Sequence, residues 1–440
     1  MRVPVLLVAS AALGCGGGGN VDHDAAPAHD AAGSDAPIAP RDSGPPIEGC
    51  SAIPSGQWQE ITPPTLDRQS WCVPDFNPAG CGNPGDSRPG HIATYGAHYF
   101  ALAPSAPGTI YLGTSSLGFW RSTDCGAHWM LADGGGSEVD AGRNWTIAVD
   151  PNDAQTLYTT AGYGAGGVWK STDGGATWAS VLPAPIAAVA SFVEKITMDP
   201  TDASHLVVSF HDACLVAPAT PDLFAPGVVL SNGLPVGAMR SNTGGGSPGW
   251  GCLAETHDAG SHWTLTANAL AWEGLDGPGQ AMVDGSTWFY ATNAPSGIWM
   301  TTTAGVSPDG ASAGWRRVVD GSAAGSVYVA HDHSFYSGAG GNIIRSTNGI
   351  DWMPVGMNIG LGSVNGSTGL VQGGARLYAA TFSFTGPARY FVADAASPSF
   401  TELTADASAV PNGAAQLDFD ERYGILYSSN MVGGLWRLRP

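Results

Sequence analysis

One eight-residue pattern, Ser-x-Asp-x-Gly-x-x-Trp, constrains this chain more than any other feature. Its fullest copy is Ser171-Thr172-Asp173-Gly174-Gly175-Ala176-Thr177-Trp178. Near-copies run from Ser122 to Trp129 and from Thr256 to Trp263, and a worn copy runs from Ser346 to Trp352. Self-similarity at a spacing of about 40–50 residues signals a radial or stacked repeat. The residue types explain the motif. The aspartate accepts backbone N–H bonds across a tight turn, the glycine supplies positive φ, and the tryptophan packs against the neighbouring hairpin. Asp124, Trp129, Asp173, Trp178, Asp258, Trp263 and Trp352 are therefore read as structural, their hydrogen bonds consumed by the turn.

Between the copies lies a second signature, a glycine two residues before a tryptophan on a short strand. It occurs at Gly118-Phe119-Trp120, Gly167-Val168-Trp169, Gly297-Ile298-Trp299 and Gly434-Leu435-Trp436. Weaker equivalents are Cys252-Leu253-Ala254, Asn342-Ile343-Ile344 and Arg389-Tyr390-Phe391. These recur about every 45–50 residues, with one gap nearly twice as long, and six gaps make seven units. Each unit also shows a preceding strand, such as Thr156-Leu157-Tyr158, and turns such as Asp150-Pro151 and Asp199-Pro200. The octapeptide resembles the Asp-box, or BNR repeat, of sialidase-like and related propellers. That resemblance implies an all-β, seven-bladed β-propeller of four-stranded antiparallel blades. The last unit stops at Pro440 after its third strand. Its outer strand is expected from Gln57-Trp58-Gln59-Glu60-Ile61, with Trp58 in the place of an octapeptide tryptophan. Closing the ring in this way removes open sheet edges.

Composition agrees with that architecture. The 440 residues include 63 glycines, 32 prolines and 15 tryptophans, which suits short strands joined by tight turns. The net charge of −20 repels phosphate backbones, so no nucleic-acid partner is expected. Met1-Arg2, the apolar run from Val3 to Leu13 and then Gly14-Cys15 resemble a bacterial lipoprotein signal. The resemblance implies loss of residues 1–14, lipidation at Cys15 and an outer-membrane or cell-surface address. An ordinary signal peptide cut nearby, giving a secreted protein, is the alternative. Residues 15–49, rich in Ala, Asp, Pro and Gly, read as a disordered tether touching the membrane only through the lipid. His23 and His29 stand there among Asp22, Asp24 and Asp30, but an unstructured tract lacks preorganised geometry. Neither metal nor cofactor is expected. Residues 50–440 form one propeller domain, expected as a monomer, with a loop insertion at about 212–250.

Six further cysteines in an exported chain suggest disulfides. The propeller arrangement pairs Cys50 with Cys125 across the ring closure, Cys72 with Cys81 within one long loop, and Cys214 with Cys252 at the base of the insertion.

The face opposite the octapeptide turns collects the loops around the central channel and is the expected binding face. It should carry Trp71, Arg143, Tyr163, Arg240, Trp250 and Trp272 as ligand-binding residues. Glu138, Asp140, Glu194, His211, Asp212, Glu273 and Asp276 lie in the same loops. Aromatics beside acids suit a glycan, with a flat ring stacking on a sugar face and carboxylates bonding its hydroxyls. A polysaccharide or an envelope or extracellular protein is the expected partner, bound without catalysis. The alternative is glycoside hydrolysis by two of Glu138, Asp140, Glu194, Asp212, Glu273 and Asp276, which needs carboxylates about 5–10 Å apart. A scaffold for envelope assembly is a third reading.

Two family comparisons rank these readings. Sialidases share the octapeptide but also carry an arginine triad, an early R-I-P motif and a Tyr/Glu pair; this chain has no R-I-P motif, and arginine is scarce on its expected binding face. The stretch from Ile147 through Trp178 is closer to the blades of xyloglucanase-type glycosidases. Those enzymes place their cleft between two propellers and carry an aspartate in a T-D-x-G-G segment of the first blade. The corresponding residues here are Thr114-Ser115-Ser116-Leu117-Gly118.

Overall fold

Short, β-branched and aromatic segments punctuated by glycine and Asp-Pro turns can satisfy their backbone groups only by pairing with sequence neighbours. In the computed structural model they do so in seven separate sheets. The structure describes residues 47–66, 96–114, 117–141, 144–160, 167–183, 190–214, 228–230, 252–267, 279–283, 287–292, 297–302, 316–320, 323–339, 342–355, 369–381, 388–411, 413–431 and 433–440.

Blade one comprises Ala97–Leu102, Ile110–Thr114, Phe119–Ser122 and Met130–Leu131, ordered from the channel outward. Blade two follows the same plan with Ile147–Asp150, Asp153–Thr160, Val168–Ser171 and Ala179–Ser180. Blades four, five and six repeat it, and successive strands pair antiparallel throughout. Blade seven is built from Gln416–Asp420, Ile425–Ser429, Leu435–Leu438 and, as its outer strand, Gln59–Glu60. Gln59 pairs with Arg437 and Glu60 with Trp436. The ring therefore closes with both ends of the domain in one sheet, and Trp58 packs its ring 4.4 Å from Tyr390 of blade six.

Blade three departs from the expected four strands. Val228–Leu230 adds a fifth strand, running parallel to Trp263–Ala267 with Val228 opposite Trp263. The second strand also continues to Cys214, so the first residues of the expected insertion belong to the sheet. A parallel addition at the outer edge needs a long connection, which the insertion supplies. Nothing in the repeat pattern foreshadows it.

The octapeptides fold alike. In blade two, Ser171 Oγ donates to Asp173 Oδ1 (2.8 Å) and accepts from Gly175 N (2.8 Å), while Asp173 Oδ1 accepts from Thr177 N (2.8 Å). Two successive residues are left-handed in each of the three fuller copies, Cys125 and Gly126, Gly174 and Gly175, Ala259 and Gly260, while the worn copy has Gly349 alone. At Gly175 (φ 89°) a Cβ would lie 2.9 Å from the Cβ of Ala132 in blade one, so the position excludes a side chain twice over. The tryptophans tie adjacent blades together. Trp178 meets Phe119 of blade one edge-on at 4.9 Å. Trp129 Nε1 donates to Ile61 O and Trp263 Nε1 to Val181 O, both at 2.7 Å. Trp352 packs edge-on against Phe289 of blade four. The core is accordingly a series of apolar layers between blades, such as Tyr111, Phe119, Val139 and Leu157 between blades one and two.

Cys50 and Cys125 are disulfide-bonded, both fully buried, and join the segment before blade seven's outer strand to the blade one turn. Arg437 reinforces the seam: its Nη1 donates to Cys125 O (2.6 Å) and Gly49 O (3.1 Å), and its Nε to Gln59 Oε1 (3.2 Å). Cys72 and Cys81 lie outside the described residues, as do the side chains of Cys214 and Cys252.

Candidate functional site

The inner strand of each blade has one unpaired edge, and its N–H groups need partners where blades meet. At the junction of blades seven and one a row of polar side chains supplies them. Gln416 accepts from Phe100 N (3.1 Å) through Oε1 and donates through Nε2 to Phe100 O (2.9 Å). Asp420 Oδ2 accepts from Gly108 N (3.1 Å). Asp418, between them on the same side of the strand, accepts from Phe419 N and from Leu102 N. Burial pushes the Asp418 carboxyl up to about 6 despite those N–H donors, with Asp420 adding to the rise. These acids close the seam. Across the inner strands Lys195 of blade three sets its Nζ 3.9 Å over the ring of Tyr99 in blade one. No repeat-based reading singled out these residues, although charged residues on an inner strand were the available signal.

On the loop-rich face, the helical turn Glu138–Ala141 follows Gly134-Gly135-Gly136, all three in the left-handed region. Glu138 is exposed. Asp140 points inward, where its Oδ1 accepts from Phe119 N (2.7 Å) and its Oδ2 from Gly136 N (2.8 Å). Burial raises the Asp140 carboxyl above its ordinary range and neighbouring Asp133 raises it further, against the pull of the two N–H donors. The structure thus brings Asp140 beside Asp133, which was not a sequence candidate, and not beside Glu138. Thr114 Oγ1 donates to Gly118 O (2.7 Å) and accepts from Leu117 N (3.1 Å), closing the loop where xyloglucanase-type blades carry their aspartate. Trp71, Arg143, Tyr163, Arg240, Trp250, Trp272, Glu273 and Asp276 lie outside the described residues. Glu194, His211 and Asp212 fall on described strands, but their side chains lie outside the description.

On the opposite face, blade three holds a second cluster. His205 is buried between Asp199, 2.9 Å from its Nδ1, and Glu255, 2.9 Å from its Nε2. His257 Nε2 lies 3.1 Å from the same Glu255 oxygen. Burial opposes a charge on His205, but the bonds to Glu255 and Asp199 outweigh it and raise its pKa.

No protein-family model matches the chain, and no curated protein resembles it in sequence. Solved structures do resemble it. The GH74 xyloglucanase from Xanthomonas campestris aligns with a TM-score of 0.51 and 17% identity, over 87% of this chain and 53% of that one. YCF48 from Cyanidioschyzon merolae aligns with a TM-score of 0.50 and 11% identity, over 79% of this chain and 97% of that one. An ancestral GH74 enzyme aligns at a TM-score of 0.35 and 14% identity, over 76% of this chain and 35% of that one. The chain thus spans about a third to a half of the length of the GH74 enzymes. At such identities the likeness is one of fold, and the fold is a seven-bladed β-propeller.

Proposed function

We propose that this protein is an exported propeller that binds a glycan or a partner protein through its loop-rich face without cleaving it. The observation that carries this reading is the state of Asp140. Among the candidate acids whose side chains the structure describes, Glu138 is exposed and Asp140 is half-buried, with both its oxygens engaged by backbone N–H donors. An acid so engaged shapes a loop; a general acid must instead reach a glycosidic oxygen. Thr114, whose hydroxyl closes its loop, points the same way. Export and lipidation at Cys15 complete the reading and rest on the sequence of residues 1–19.

One observation favours a second reading, glycoside hydrolysis. Asp133 and Asp140 are neighbouring acids, and Asp140 is raised by burial and by that neighbour, as a proton-sharing pair would be. A glycan-array screen of the full chain, with reducing-end release assayed on every hit, separates the two. Binding without release supports the binding propeller. Release that disappears in Asp140→Asn establishes the hydrolase. Silence in both assays shifts the partner to a protein.

A further inference from the structure

The seven blades are internal copies of one another, so a position where one blade changes chemistry is visible without any other protein. Blade three changes three such positions together. The residue opposite the second-strand tyrosine is a cation in four blades: Tyr111 pairs with Arg121, Tyr158 with Lys170, Tyr336 with Arg345 and Tyr427 with Arg437. In blade three the corresponding pair is Val207 and the acid Glu255. The residue two places before that second-strand position is Thr109, Thr156 or Ser334 in blades one, two and five, and His205 in blade three. The second octapeptide residue is Thr123, Thr172 or Thr347 in those blades, and His257 in blade three. The hairpin register brings the three replacements to one spot.

From this convergence we propose that His205, Glu255 and His257 form a binding site for a divalent transition-metal ion of the zinc class. One donor atom from each of His205, Glu255 and His257 lies within 4.8 Å of the other two. The Glu255 oxygen is 2.9 Å and 3.1 Å from the two nitrogens. Ligands of a tetrahedral zinc with bonds of about 2.0–2.1 Å stand about 3.3 Å apart, so the carboxylate needs to retreat by only a few tenths of an ångström. Asp199 holds the Nδ1–H of His205, which turns the Nε2 lone pair toward the other donors, the outer-shell arrangement that orients metal-bound histidines. A carboxylate is only an acceptor, so each short Nε2–carboxylate approach requires either a proton or a cation between the two atoms. One dication satisfies both approaches at once and balances the two buried acids, Asp199 and Glu255. The His257 ring stacks on His205 at 4.1 Å, and its side chain is 68% exposed, so it can swing onto the ion while a solvent ligand completes the shell. The site would clamp the first-to-second-strand turn of blade three to its octapeptide turn, on the face opposite the proposed ligand site and independently of it.

The test is zinc titration of the chelator-treated full chain by calorimetry, with cobalt(II) as a spectroscopic substitute. The expected result is one saturable equivalent of zinc and visible cobalt absorption of four-coordinate intensity. His257→Ala, which alters an exposed side chain, should keep the metal-free melting midpoint and lose at least about tenfold in affinity. A His23→Ala/His29→Ala variant should bind as the parent does. The proposal is overturned if the parent shows no saturable one-to-one binding, if His257→Ala binds undiminished, or if binding vanishes with His23 and His29.

Discussion

Replacing both Cys50 and Cys125 by alanine tests the closure of the ring. Both residues are fully buried, and their bond spans 75 residues of sequence. Releasing a loop of that length raises the entropy of the unfolded chain by an amount worth about 4.5 kcal/mol at 25 °C. Loss of two buried sulfurs beside Gly108 and Ile47 adds about 1 kcal/mol of cavity cost. Cys125 sits at φ 59°, which alanine adopts at a similar cost, so the substitution leaves backbone strain unchanged. A domain spanning residues 45–440 unfolds with an entropy of about 0.8 kcal/mol/K, and the double variant should melt about 5–7 °C below the parent. Scanning calorimetry under non-reducing conditions measures the midpoint. Hydrogen exchange at Gln59 and Glu60 reports where the opening starts, since their strand pairs only with the last strand of blade seven. A midpoint within 1 °C of the parent, with unaltered exchange at those two amides, would refute the latch. Arg437, Arg439 and the strand pairing would then hold the seam without it.

Other perturbations follow from the same structure. Gly175→Ala forces a side chain onto a left-handed residue packed against Ala132 and should cost about 1–3 kcal/mol, read by chemical denaturation. Trp263→Phe keeps the buried ring but leaves Val181 O without its indole donor, for a loss of about 1–3 kcal/mol. Asp418 has a folded pKa of about 6, above its unfolded value of 3.8, so the native state holds the extra proton between those values. Its contribution to stability is therefore present at acidic pH and lost as pH rises from about 4 to 6. Asp418→Asn should stabilise the protein at pH 7 by up to about 2 kcal/mol and far less at pH 4.5; equal effects at both values would show that the carboxyl titrates normally.

Much of this architecture is legible in the sequence, for a local reason. An octapeptide such as Ser171 to Trp178 closes its own turn through bonds between residues two and four apart, so its sequence and its conformation are the same information. Seven strand-signature units, four of them carrying the octapeptide, with one outer strand missing at Pro440 and a spare one near Trp58, leave a closed ring as the arrangement without open edges. The fifth strand of blade three escaped this reading because Val228–Leu230 has no repeat partner and pairs parallel across a long connection.

The sequence by itself therefore determined the blade, the number of blades and the way the ring closes, because each depends on short-range turn chemistry and a regular period. Tertiary structure alone decided what the polar side chains do. Gln416, Asp418 and Asp420 meet the edge of a blade more than 300 residues away in sequence, and Asp140 turns inward to Phe119 and Gly136. His205 and Glu255, 50 residues apart, come within 2.9 Å only through the hairpin register of blade three. Such contacts depend on which blade edges face each other, and a side chain's identity carries no record of its partner across a sheet.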